Sequence, residues 1–471
     1  MRATSGPPEH RLYAKLLLFP DGTKRYLPTI PSDEQAYRGC TELLKSELAR
    51  SSIRLPQGSL SDGYNTRQAI GYNYRHWSDF FNDRQLLALG WLHEAIAALP
   101  DPASRDALLT LFSGVLEFNN VFASYKGEGT GAVRHMFSHH ILKPERMPIE
   151  ANVWGTPKSS GSFRNLFSSR LVRAIEYRSA PFEVTGNGRG RAYTGRPFSG
   201  IVETSSPLSA PRVPGAIHLS CGSSDETDLP DRSVDLVITD PPFFDNVHYS
   251  ELADFFFSWQ VLHPRGFVSE TPTTRHAREV QDTDSQQFAE KLRRVFAESR
   301  RVLKDDGLLV FTYHHSRPEG WTSLAQAIYG GGFSVVNAHP VKAEMSVATP
   351  KSQAKEPIQL DVIFVCRKLE EDSRSPSDPS EAAGEARALA EAKLSRLAET
   401  GLSFSRNDCR VVVISQFLSR IGPVRSPDAV VDAVVLFQDR LEEIACGTFH
   451  ALEEMFDRAA ARAKGGQLTL F

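Results

Sequence analysis

The chain has 471 residues, 41% of them hydrophobic and 24% charged, and its 54 basic and 57 acidic side chains give a formal net charge of −3. This composition excludes a wholly disordered chain, and the near-zero charge confines any polyanion-binding surface to a local patch. At roughly 150 residues per domain the length predicts about three domains.

No apolar run approaches the roughly 18 residues of a membrane span. The start, MRATSGPPEHRLYAK, has neither an apolar signal core nor a cleavage site. Cys40, Cys221, Cys366, Cys409 and Cys446 lie far apart, with no CxxC pair. That spacing argues against a zinc ribbon or disulfide framework and predicts a cytoplasmic protein.

In chain order, residues 11–27 read as a β-hairpin, two apolar runs around the turn dipeptide Asp21-Gly22. Residues 51–78 read as loop. Asn82-Asp83 caps a helix, RQLLALGWLHEAIAAL, whose Leu86, Leu89, Leu92 and Ile96 recur at helical spacing before Pro100. A second helix is expected over about residues 104–122. Residues 126–165 are rich in Gly, Pro and Ser.

A helix is expected over 168–177, followed by a Gly/Pro/Ser/Arg-rich connection at 185–215. Five short apolar runs then read as strands: AIHLS (216–220), VDLVITD (234–240), GLLVFTYH (307–314), FSVVNAHPV (333–341) and LDVIFVCRK (360–368). Helical segments between several of them predict a parallel α/β sheet. One such helix, 285–304, lines up Phe288, Leu292, Val295, Phe296 and Val302, and Asp305-Asp306-Gly307 turns it into the next strand. Residues 369–385 have the composition of a disordered linker. A helix from Ala386 and two or three more over 410–462 complete the pattern.

The predicted organisation is an accessory region (1–159), an α/β domain (160–368), a linker (369–385), a helical region (386–462) and a tail (463–471).

The chemistry is concentrated in VDLVITDPPFFDN (234–246). Open parallel sheets bind ligands beyond the carboxyl ends of their strands. A carboxylate there (Asp240), a stiff turn whose prolines (Pro241, Pro242) have carbonyls but no N–H, and a flat ring (Phe243) suit an exocyclic amine on a planar base. Two acceptors grip the amine hydrogens while the ring stacks, so catalysis is by positioning.

Asp-Pro-Pro-Phe after a strand resembles the catalytic motif of S-adenosylmethionine-dependent methyltransferases that act on adenine N6 or cytosine N4. The stretch from Leu219 to Trp259 is similar to the catalytic part of large bacterial adenine-specific DNA methylases. In that family a DPPYYDN-type motif precedes a Tyr-x-x-Leu-x-Asp-Phe-Phe run, here Tyr249, Leu252, Asp254, Phe255 and Phe256. The similarity spans most of residues 55–368 and is densest over 217–315.

The resemblance implies a doubly wound, Rossmann-like α/β methyltransferase sheet, in whole or in part. It implies methyl transfer to adenine N6 in DNA, with the target base flipped out, in a restriction–modification or phage-defence setting. Cytosine N4, an RNA target and a non-catalytic DNA-binding subunit stay open. By the same resemblance Asp240 and Pro241 accept from the amine and Phe243 stacks. Ser223, Ser224 and Asp225, with Asp240, lie beside the cofactor. Phe243 stands where Tyr is more frequent, so a phenol hydroxyl bond is lost.

Phe244, Asn246, His248, Tyr249 and His314 are candidates for the target pocket. For those after the turn, helix capping is an equal alternative. His135 and His139 lack a third ligand at metal spacing, so no metal is expected. Arg275, Arg278, Lys291, Arg293, Arg294, Arg300 and Arg301 offer either a nucleic-acid contact or a solvated face. Gln467, Leu468, Leu470 and Phe471 resemble the peptide with which bacterial DNA enzymes dock on the sliding clamp.

These methylases hold the methionine end of their cofactor on a glycine-rich turn after a strand. Residues 125–131, 186–190 and 330–332 are glycine-rich, but no apolar strand feeds any of them. The expectation is a split enzyme, with a partner chain carrying the cofactor turn. A degenerate turn and a non-methylating binder are the alternatives.

Overall fold

The computed structural model describes residues 6–125, 132–139, 142–185, 190–197, 201–204, 216–245, 247–262, 273–343, 358–369, 378–421 and 427–467. Contacts divide the chain into two compact units, Met1–Ser199 with His248–Arg275, and Gly200–Val247 with His276–Phe471. Among the described residues no helix is long and apolar enough to cross a membrane.

The first unit begins with the expected hairpin, β1 (Ala14–Leu18) against β2 (Lys24–Pro28), antiparallel. Gly22 takes the left-handed φ of +85° that its turn demands. Next come α1 (Pro31–Ala49), the short α2 (Arg67–Ile70), α3 (Asp83–Ala97) and α4 (Pro102–Leu116). Asn82 and Gln85 form the capping box that starts α3. Small pairs follow: β3 (Ser124–Tyr125) with β4 (Val133–Arg134), and β5 (Phe182–Val184) with β6 (Arg191–Tyr193). Between them one helical stretch runs from α5 (Phe163–Leu166) through a π-helical segment (Phe167–Val172) into α6 (Arg173–Ser179), so it starts before the expected residue 168.

The aromatic run 249–260 forms α7 (Tyr249–Gln260) and completes this unit's core. Phe255 stacks on Phe81 at 5.6 Å, and Trp259 meets Phe112 at 5.4 Å. The carboxylate of Asp254 accepts from Thr273 Oγ1 at 2.6 Å and Thr274 Oγ1 at 2.7 Å. Glu251 accepts from the backbone N–H groups of Tyr64 (3.1 Å) and Asn65 (2.6 Å). Gly63 permits that approach, because a Cβ there would lie 2.3 Å from a Glu251 oxygen.

In the second unit β7 (Ile201–Thr204) and β8 (Ala216–Leu219) form a two-stranded parallel pair. The main sheet has the order β11-β12-β10-β9, with β9 (Val234–Thr239), β10 (Leu303–Tyr313), β11 (Phe333–Lys342) and β12 (Leu360–Lys368). β9 and β10 are parallel, but β12 runs antiparallel to both of its neighbours. The expected all-parallel sheet is thus corrected to a mixed one. Helical segments separate β9, β10 and β11, whereas β11 and β12 are antiparallel neighbours in the sheet.

α8 (Ser285–Val302) is capped by Asp284 and buries Phe288, Leu292 and Phe296 at helical spacing. It and α9 (Pro318–Gly330) cover the face formed by Leu309, Phe311 and Phe364, with Phe311 stacked on Phe364 at 5.2 Å. β10 already begins at Leu303, so Asp305–Gly307 lie within an irregular first stretch of the strand rather than a separate turn.

α10 (Pro379–Glu399) begins at Pro379, not Ala386, because Asp378 caps it and Ala382 and Ala383 are buried. The rest of the linker, 370–377, lies outside the described residues. α11 (Arg406–Arg420) and α12 (Pro427–Gln467) follow. Asp408 of α11 accepts from the N–H groups of Gln359 (2.7 Å) and Leu360 (3.0 Å), and the Tyr329 hydroxyl of α9 donates to the Leu418 carbonyl at 2.9 Å. These helices therefore share the sheet's core.

Candidate active site

Asp240 directly follows β9, at the carboxyl end of the strand, and is exposed. Register aligns Thr239 with Phe311, so the next residues across the pair are Asp240 and Thr312. The Thr312 hydroxyl donates to Asp240 Oδ1. No motif announces Thr312, since only the pairing of two distant strands makes it a neighbour.

Pro241 is buried and Pro242 half-buried. The half-buried Phe243 ring is held edge-on by Tyr313 (5.4 Å, 70°) and His314 (4.8 Å, 65°). His314 directly follows β10, and its Nδ1 faces the Asp361 carboxylate at the start of β12. Asp240, Phe243, Thr312, Tyr313, His314 and Asp361 thus meet at one rim of the sheet. Asp361, like Thr312, was invisible in the sequence.

Phe244 is corrected from target contact to anchor. It is 4% exposed, and its ring packs on Phe288 (5.4 Å) and His315 (5.6 Å) with the Arg317 guanidinium 5.2 Å above it. Its φ of +55° is costly for a side chain of this size, on the order of 1–3 kcal/mol. Burial of the ring and the ion pair between Asp245 and Arg317 hold the turn in that conformation. Burial also pushes the His315 imidazole below its ordinary pKa, which favours the neutral ring in the core.

His248 and Tyr249 belong to the first unit. His248 stacks on Tyr64 (5.2 Å, 20°), with Nδ1 3.7 Å from Glu251 Oε1, and Tyr249 is exposed. Asn246 lies outside the described residues. Ser223 donates to the Asp225 carboxylate, which also accepts from Arg278 at 2.6 Å. Ser223 first and then Arg278 hold the Asp225 carboxyl below its ordinary pKa. Ser224 is exposed. This segment pairs with Arg278 rather than with the Asp240 rim.

Most of the basic concentration is engaged within the protein. Lys291 pairs with Asp282 (2.9 Å), Arg293 and Arg294 with Glu290 (2.7 and 3.0 Å), and Arg301 with Asp231 (2.5 Å) and Glu298 (2.7 Å). Arg275 donates to the carbonyls of Asp62 (2.8 Å) and Ser61 (3.2 Å). Gly331 and Gly332 end α9 and lead into β11, a helix-to-strand turn. Residues 126–131 and 186–189 lie outside the described residues. Gln467 ends α12, while Leu468, Leu470 and Phe471 lie outside them. Among the described residues no group of three or more His, Cys, Asp or Glu is arranged to hold a metal ion.

Comparison with curated proteins returns no match. A strand ending in an exposed carboxylate, two prolines and an edge-held ring is nevertheless found where a family model aligns: residues 234–404 match the family described as DNA methylase (N6_N4_Mtase).

Proposed function

We propose that the chain methylates the N6 amine of adenine in DNA, with S-adenosylmethionine as donor, on a Rossmann-like sheet that another polypeptide completes. The observation that carries this reading is Asp240-Pro241-Pro242-Phe243 at the carboxyl end of β9, inside the region that matches the DNA methylase family. The cofactor, when bound, supplies an electrophilic methyl group.

The residues present fit the acceptor side of that chemistry. Thr312 engages Asp240 Oδ1, and Oδ2 is the oxygen offered to the amine. The Pro241 carbonyl is the second acceptor, since proline has no backbone N–H. Phe243, braced by Tyr313 and His314, offers a stacking face to a flipped base. The carboxylate is also suited to take the proton that the amine sheds. The described residues hold no strand-fed glycine turn for the methionine end, which supports a partner for that half. The family resemblance supports a restriction–modification or phage-defence setting.

The test is nucleoside mass spectrometry of DNA from cells carrying the intact system with either wild-type chain or Asp240→Ala. N6-methyladenine that disappears in the variant is expected. N4-methylcytosine instead would move the target to cytosine, and unchanged methylation in the variant would overturn the enzyme reading. The terminal Gln467–Phe471 supports docking on the sliding clamp. Deleting residues 467–471 should abolish clamp capture in a pull-down, and full capture by the truncated chain would refute it.

A further inference from the structure

Among the described residues the strand that leads into Asp240 is the outermost of its sheet. Among the described residues β9 hydrogen-bonds to β10 on one side only. Its apolar side chains are left bare: Ile238 is 72% exposed and Leu236 45%. They pair with the half-buried Val310 and Leu308 of β10, and the same face continues through Ile363 and Val365 of β12. The opposite face lies in the core under α8 and α9. Parallel strands ordinarily have both faces covered, and an open apolar edge is a template for another strand. The separate β7–β8 pair in the same unit also exposes Ile217 and Leu219.

We propose that the free edge of β9 and the apolar face beside it dock a second polypeptide through a strand–turn–helix unit, its strand adding parallel to β9. This rests on the methyltransferase reading above. The outward backbone groups of β9 specify a β-strand as the occupant, because only a strand meets their spacing. Leu236, Ile238, Leu308 and Val310 specify an apolar helix laid over them. A strand whose helix packs back on the same sheet leads to a parallel neighbour by a right-handed crossover.

That geometry brings the helix N-terminus to the rim that holds Asp240, Phe243 and His314. Helix N-termini bind anions, and in doubly wound sheets the strand at the switch point carries the cofactor turn. The occupant is therefore the cofactor-binding chain. A second copy is disfavoured, since β9 paired with β9 about a two-fold axis is antiparallel and sends the two Asp240 rims to opposite ends.

The experiment co-expresses the full chain with the product of each flanking reading frame. Size exclusion reads assembly, calorimetry with S-adenosylmethionine reads cofactor binding, and hydrogen exchange reads residues 234–239. The expected result is a complex with one of the two products that binds S-adenosylmethionine, with exchange over 234–239 slowed roughly tenfold or more. Leu236→Lys with Ile238→Lys should abolish the complex without lowering the melting temperature of the chain alone. Val336→Lys, on the strand at the opposite edge, should preserve it. The proposal is overturned if neither product binds, if the chain alone binds S-adenosylmethionine tightly, if complex formation leaves 234–239 unprotected, or if β9 is protected only in a homodimer. A β9-dependent complex that binds S-adenosylmethionine but never methylates DNA leaves the docking intact and refutes the methylation reading.

Discussion

Replacing Thr312 by Val removes one atom's chemistry and little volume. The hydroxyl donates to the Asp240 carboxylate, and both groups sit at the rim rather than in the core. Asp240 is exposed, so water replaces the lost donor in the resting protein, and stability should change by no more than about 0.5 kcal/mol. On the proposed reaction the catalytic effect differs, because the hydroxyl would fix which carboxylate oxygen faces the amine. A hydrogen bond to a charged group is worth about 1.5–3 kcal/mol. Expressed wholly in the transition state, that loss lowers kcat on the order of 10- to 100-fold.

The assay is transfer of labelled methyl from S-adenosylmethionine to DNA by the assembled enzyme. Thr312→Val should lower kcat, leave KM for DNA near wild type and leave the melting temperature unchanged. Thr312→Ser, which keeps the hydroxyl, should restore most of the rate. A Val variant within twofold of wild type, or a Ser variant as poor as Val, would refute the positioning role.

Two further outcomes concern the scaffold. Glu298 is held at about 2, chiefly by Arg301 and then by Thr227, so its folded pKa lies below the ordinary 4.5. Its contribution is fully present above about pH 4.5 and fades as pH falls toward 2. Glu298→Gln should therefore lower the melting temperature at pH 7, with a loss of about 2 kcal/mol, and the gap to wild type should narrow progressively as pH falls from 4.5 toward 2; a gap independent of pH would refute the assignment. Gly63→Ala drives a Cβ to 2.3 Å from Glu251 and should cost on the order of 2 kcal/mol or more. Chemical denaturation of that variant, with and without Glu251→Ala, should show strongly non-additive losses; simple additivity would exclude the clash.

Local signals carried far in this sequence. The Asp21-Gly22 turn, the Asn82 cap and the apolar run ending in Asp240 each encode their structure within a few residues, and each is found as expected. What was hidden depends on pairing between distant segments. Thr312 and Asp361 become site residues only because β10 lies between β9 and β12. The direction of β12 is equally silent, since a buried strand reads alike in parallel and antiparallel sheets. Phe244 is a target-pocket candidate by its place beside Phe243, yet its left-handed φ in the turn after β9 goes with a ring packed into the core, while Phe243 stays at the rim. The start of α10 was masked by its own cap, because Asp378-Pro379 lies in a polar stretch that resembles linker.

The discontinuous first unit sets an order of events during synthesis. Its core needs Phe255 and Trp259, which follow the whole of β8, β9 and the catalytic turn in the chain. When residue 199 leaves the ribosome, Phe81 and Phe112 have no partners from α7, and at about 5–20 residues per second they wait roughly 4 to 15 s for residue 275. A fragment cut at residue 199 therefore lacks part of its core rather than being a free-standing domain. During the same interval β9 emerges while β10, its hydrogen-bonded neighbour among the described residues, has not. The strand with the open edge is thus accessible on both sides early in the life of the chain, when a partner made beside it meets no competing strand.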